Sequence, residues 1–145
     1  MEFAIRRLKD SQAAKVLPAM AELYGQLVAT NALPVTEETL GALLRSETAV
    51  AIGAFDGSRL VGVMTMNIVP LPNRLVCYMD DLVVHKDYRG GKLGVLLMET
   101  GIALARRQGA YSCHGTSHPR RESANRTFRE VGFVVRETNA IECRL

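Results

Sequence analysis

The chain has 145 residues, 48% of them hydrophobic and 23% charged, with a formal net charge of +3. That length and balance fit one globular domain with a real core and exclude a disordered or disulfide-stapled miniprotein. The mild, scattered charge suits an anionic ligand but gives no basic stripe of the kind that holds nucleic acid.

The three cysteines, Cys77, Cys113 and Cys143, are odd in number and lack CxxC spacing, which argues against a disulfide framework and for a reducing compartment. The N-terminus has no signal-peptide core, and the apolar runs are too short to span a bilayer. The expectation is a cytoplasmic, single-domain protein with no membrane partner.

In chain order, residues 2–8 alternate Phe3 and Ile5 with charged neighbours and predict a first strand. Asp10 or Ser11 then caps a helix reaching about residue 27, its apolar set Val16, Leu17, Met20, Leu23, Tyr24 and Leu27 at helical spacing. Pro18 falls inside that pattern and should bend the helix or mark its start. Residues 29–35 read as a loop. Thr36, Glu37 and Glu38 open a second helix carrying Leu40, Leu43 and Leu44.

Strands follow at residues 49–55, 60–69 and 75–84, the first two joined by an Asp56-Gly57 turn. A polar turn and the loop Arg89-Gly90-Gly91-Lys92-Leu93-Gly94 lead into a long apolar helix that Gly109 ends. Residues 110–116 form a strand, 120–131 a helix, and 133–136 with 140–145 a final hairpin. The expected fold is a mixed α/β (α+β) protein with a twisted, mostly antiparallel sheet flanked by helices on both faces.

The glycine-rich loop is the centre of this plan. Unpaired amides at a helix N-terminus, close backbone approach, and Arg89 and Lys92 beside it make a polyphosphate cradle. It is no P-loop, because Leu93 follows Lys92, and no dinucleotide fingerprint, because Gly90, Gly91 and Gly94 are misspaced.

Just upstream, Asp80 and Asp81 interrupt an apolar strand. Adjacent strand residues face opposite ways, so with helices on both faces at least one acid should be partly buried. Either they form a bulge or an arginine ion pair, or they serve as a base or an amine anchor. Cys113, His114 and His118 have no fourth ligand and read as a core thiol and surface histidines rather than a metal site. Arg120, Arg121 and Arg126 read as a solvated face, with extra phosphate contacts as the alternative.

The stretch MDDLVVHKDYRGGKLGVLLM resembles the acetyl-CoA motif of the GNAT acetyltransferase superfamily, a strand followed by Arg/Gln-x-x-Gly-x-Gly/Ala and a helix. Arg89, Leu93 and Gly94 align with it, while Lys92 replaces the first glycine. RESANRTFREVGF resembles the second motif through Ala124, Gly132 and Phe133, with Phe128 where many members place a tyrosine.

The resemblance implies a GNAT-like acyl-CoA N-acyltransferase fold whose two central strands, 75–84 and 110–116, splay to admit pantetheine. It implies acetyl-CoA as donor and no metal. Pantetheine pairs with the backbone of Leu82, Val83 and Val84, and the pyrophosphate sits on the amides of Arg89, Gly90, Gly91, Lys92, Leu93, Gly94 and Val95. An amine acceptor attacks the thioester directly, with Asp80, and after it Asp81, as the catalytic acid that takes the proton. A small-molecule amine near residues 29–39 is favoured over a protein N-terminus or lysine. The resemblance also admits a homodimer. Phe128 cannot protonate a leaving thiolate, which keeps open a non-catalytic acyl-CoA-binding module, or Ser117 or water as the donor.

Overall fold

The computed structural model describes residues 2–27 and 33–145. In chain order it contains β1 (Ala4–Arg7), α1 (Ala13–Gly25), α2 (Glu37–Arg45), β2 (Ala49–Asp56), β3 (Arg59–Leu71), β4 (Arg74–Val84), α3 (Leu93–Arg107), β5 (Ala110–Gly115) and α4 (Glu122–Glu130). The five strands form one sheet in the order β1-β2-β3-β4-β5. Every pairing is antiparallel except β4 with β5, which is parallel. The parallel pair needs a crossover, and α3 supplies it.

Period-two alternation builds a core on each face. Val50, Ile52 and Ala54 of β2 join Leu93, Leu97, Met98 and Ala105 of α3 on one side. Ala51 and Phe55 join Val16, Met20 and Leu23 of α1 and Leu40 of α2 on the other. A strand buried on both faces needs apolar residues at successive positions, which β2 provides.

Local chemistry sets the element ends. Thr36 Oγ1 accepts the Thr39 amide at 3.1 Å and Thr39 Oγ1 accepts the Thr36 amide at 3.0 Å, satisfying two donors at the start of α2. Gly57, at φ +59°, lies in the two-residue turn between paired Asp56 and Arg59. The start of α1 differs from expectation: a 3-10 turn, Asp10–Gln12, precedes it, and Gln12 Oε1 accepts the Lys9 amide at 2.9 Å. Pro18 lies inside α1, not at its start.

The expected hairpin at 133–136 and 140–145 is not formed: among the described residues no strand follows α4, and β5 ends the sheet. Neighbouring Val134 and Val135 would face opposite ways in a strand, and both are exposed, at 80% and 95%. The link Glu137-Thr138-Asn139 lacks the glycine that favours a tight primed turn. Among the described residues no helix is long and apolar enough to cross a membrane.

Candidate acyl-transfer site

The site forms where two strands part. β4 pairs with β5 from Leu75 to Met79, against Ala110 to Gly115. Beyond Met79, β4 continues alone on that side for another five residues. β5 meanwhile turns into the Thr116–Pro119 segment. At the opening lies a cavity of about 420 Å³ lined by Asp80, Asp81, Thr116, Ser117, His118, Pro119, Arg121 and Ala140.

Asp80 and Asp81 both line that cavity, contrary to strict strand alternation. The cause is a bulge. Met64 stands opposite Leu82 and Met66 opposite Met79, so Asp80 and Asp81 together oppose Thr65 alone. The extra residue turns both carboxylates to the face that carries α1. Asn67 Nδ2 donates to Asp80 Oδ2 at 3.3 Å, and the Tyr24 hydroxyl donates to Asp81 Oδ2 at 2.8 Å. Thr65 Oγ1 accepts the Asp81 amide at 3.2 Å, which occupies that backbone donor. Asp81 is half-buried, as expected of at least one acid, while Asp80 is open to solvent on one side.

The two acids differ in what holds them. Partial burial raises the Asp80 carboxyl above its ordinary range, and the Asp81 charge adds to this, while the Asn67 amide opposes it. Burial, then the Asp81 charge and hydrogen bond, push the Tyr24 phenol upward, so it remains a neutral donor near pH 7. Tyr24→Phe should lower unfolding free energy by about 1.5 kcal/mol, the worth of a hydrogen bond to a charged group. Urea unfolding checks this, and unchanged stability would show that Asp81 does not need the hydroxyl.

The strand end and loop are firmly placed. His85, 2% exposed, closes β4: its Nδ1 accepts the Asp87 amide at 3.3 Å, which leaves Nε2–H to donate to Glu22 Oε1 at 2.9 Å. Gln26 Oε1 accepts the Lys86 amide at 2.8 Å, and Tyr88 donates to Asp56 Oδ2 at 2.8 Å. The chain then enters the loop, where Gly90 has φ +83°, a backbone state that side chains with a Cβ rarely adopt. Gly91 has no atom within 4 Å of a would-be Cβ, so its surface is open. Among the described residues no hydrogen bond engages the Gly90, Gly91 or Lys92 amides, and the first amides of α3 have no carbonyl a turn earlier. Leu93 and Val95 are buried and anchor the helix start.

The basic side chains are arranged differently from expectation. Lys92 pairs with Glu130 of α4 rather than facing the loop. Arg89 Nε donates to the Val84 carbonyl at 2.9 Å, and Arg121 donates to the Leu82 carbonyl at 3.1 Å. Two alternate carbonyls of β4, past the point where β5 leaves, thus end on arginines instead of a neighbouring strand. Arg121 is part of the cleft and not of a solvated face.

Phe128 packs on Gly115, where an added Cβ would lie 2.8 Å from its ring, and meets Phe133 edge-on at 5.0 Å. Ser117 Oγ is buried and has no hydrogen-bond partner among the described residues. His114 bonds Ser112 at 2.8 Å and Arg136 at 3.0 Å, and His118 Nδ1 accepts the Arg120 amide at 3.0 Å. The expected acceptor loop at 29–39 falls partly outside the described residues.

The sequence pattern does not single out Tyr24, Thr65 or Asn67. Tyr24 sits within the apolar helical set and reads there as core. Thr65 and Asn67 are polar breaks in the otherwise apolar 60–69 stretch, a signal that could have marked them.

The five-stranded mixed sheet flanked by helices, its one parallel pair opening beside a bulge, matches the N-acetyltransferase fold. The family model described as Acetyltransferase (GNAT) family matches residues 16–133. The chain belongs to that family and is an acetyltransferase of it.

Solved structures share the fold. An aminoglycoside acetyltransferase, meta-AAC0020, from an uncultured soil metagenomic sample matches with TM-score 0.86 and 16% identity, over 99% of this chain and 95% of that one. A ribosomal-protein-alanine N-acetyltransferase from Brucella melitensis biovar Abortus 2308 matches with TM-score 0.80 and 18% identity, over 99% and 100%. The aminoglycoside N-acetyltransferase AAC(6')-Iy in complex with CoA matches with TM-score 0.77 and 13% identity, over 99% and 95%. No curated protein sequence matches the chain.

Proposed function

We propose that the whole chain acts as one acetyl-CoA-dependent N-acetyltransferase domain on a primary amine, a small molecule in preference to a protein. The observation that carries this is the parting of β4 from β5 directly beside two bulged carboxylates. Acetyl-CoA supplies the acetyl thioester. The amides of Arg89, Gly90, Gly91, Lys92, Leu93, Gly94 and Val95 hold its pyrophosphate at the start of α3. The backbone of Leu82, Val83 and Val84 holds the pantetheine arm, once Arg121 and Arg89 release the Leu82 and Val84 carbonyls.

Asp80 is the base: its carboxylate faces the cavity, and its raised proton affinity makes it a stronger acceptor than an ordinary aspartate. Asp81, fixed by Tyr24, adds negative charge that attracts a cationic amine. The bound ammonium gives one proton to Asp80 and so exposes its lone pair; the amine nitrogen then bonds the acetyl carbon, the carbon–sulfur bond breaks, the second nitrogen proton passes to solvent, and the thiolate departs. Phe128 has no proton to give. Ser117 has a buried hydroxyl in the cavity wall with no partner among the described residues, and it donates a hydrogen bond to the departing sulfur. The alternative of a pure acyl-CoA-binding module rests on Phe128 alone.

Incubation with acetyl-CoA and an amine library, read as acceptors heavier by one acetyl group, tests the reading; binding of acetyl-CoA without any acetylated amine would favour the binding module. Ser117→Ala should lower the transfer rate roughly tenfold, as expected for one hydrogen bond to a charged group, and an unchanged rate would return that role to water. The acid limb of the rate against pH should lie above the ordinary aspartate value of about 3.9. Activity falls as Asp80 is protonated, so the limb moves up because its proton affinity is raised. A limb at or below the ordinary value would contradict Asp80 as base.

A further inference from the structure

Cys77 of β4 and Cys113 of β5 stand directly opposite each other in the parallel pairing. Cys77 is fully buried in the α3-side core, and half-buried Cys113 packs against the same cluster. Adjacent strands lie about 4.8 Å apart, within the Cα separation that a disulfide spans. Cys77 Sγ donates to Met66 Sδ at 3.7 Å.

The pair is chemically unequal. The neighbouring Cys77 thiol pulls the Cys113 thiol below its usual range, against burial and with help from the Arg106 charge. The same contact and burial push Cys77 up. Cys113 is nearer solvent than buried Cys77 and lies near the Arg106 charge, so it is the thiol that a peroxide reaches first. Cys143 is exposed in the C-terminal segment. Acetyl transfer uses none of these sulfurs, so their chemistry is separate from the proposed reaction.

We propose that Cys77 and Cys113 form a peroxide-oxidisable thiol pair that closes to a disulfide between β4 and β5. The Cys113 thiolate attacks one oxygen of a hydroperoxide, the O–O bond breaks, and the departing oxygen takes up a proton, leaving a sulfenic acid. The Cys77 sulfur then attacks the Cys113 sulfur, the S–O bond breaks, and hydroxide leaves as water with the Cys77 proton. The pair gives up two electrons and the peroxide receives them. The bond ties the two strands two register positions before Met79 and Gly115, where they part.

The test uses the Cys143→Ser protein with hydrogen peroxide. Both remaining thiols should be lost together, peptides 75–86 and 108–120 should appear cross-linked after trypsin, and dithiothreitol should restore both thiols. With Cys77→Ala added, dimedone should label Cys113, since no second thiol resolves the sulfenic acid. Persistent thiols in Cys143→Ser, or Cys113 oxidised to sulfinic acid beside an intact Cys77 thiol, would overturn the proposal.

Discussion

Asp80→Asn should slow acetyl transfer at least about a hundredfold, the ordinary worth of a positioned general base, and leave CoA affinity unchanged. The substitution keeps shape and keeps an oxygen for the Asn67 amide, which donates to Asp80 Oδ2 at 3.3 Å. It removes the negative charge and with it the ability to accept a proton. Asp80 lies in the bulge, outside the loop amides proposed to hold phosphate, so donor binding has no reason to change. Initial rates with saturating acetyl-CoA and calorimetric CoA titration separate the two effects. Equal losses in rate and affinity would mean that Asp80 shapes the cleft and is not the base. The Asp81→Asn protein is the natural comparison, because the Asp81 carboxylate already accepts the Tyr24 hydroxyl.

Gly91→Glu should weaken CoA binding by about 2 kcal/mol, roughly thirtyfold, while leaving the fold intact. A side chain at Gly91 meets no atom within 4 Å and its backbone is not in the left-handed region, so nothing must move to admit it. The new carboxylate lies beside the loop amides and competes with the pyrophosphate for them. It also repels that pyrophosphate, by about 2 kcal/mol at a separation near 5 Å in a partly solvated site. CoA titration with a parallel melting curve is the check. An unchanged Kd at an unchanged melting temperature would remove the loop from the binding site.

Much of this protein is legible from residues alone. The apolar runs of β2 and β4, the Asp56-Gly57 turn, the Thr36 cap and the apolar α3 all report local preferences that tertiary packing then reinforces. The loop at 89–94 is legible for the same reason, since a strand-to-helix turn rich in glycine leaves few conformational choices. The bulge is less so. Alternation sends Asp80 and Asp81 to opposite faces, and only the register of β3, with Thr65 opposing both, brings them together.

Long-range partners are also hidden. Tyr24 is 57 residues from Asp81, and Arg121 is 39 residues from the Leu82 carbonyl it binds. Nothing in local spacing links such pairs. The hairpin expected after residue 132 fails for the opposite reason: its residues have β-forming side chains, but that preference depends on a surface to pack against.

The most direct measurement is thiol release from acetyl-CoA, followed with and without a broad panel of amines. Release that requires an amine, and that falls at least about a hundredfold in Asp80→Asn, is the expected result. Binding of acetyl-CoA with no amine-dependent release by any member of the panel would contradict catalysis by this cleft.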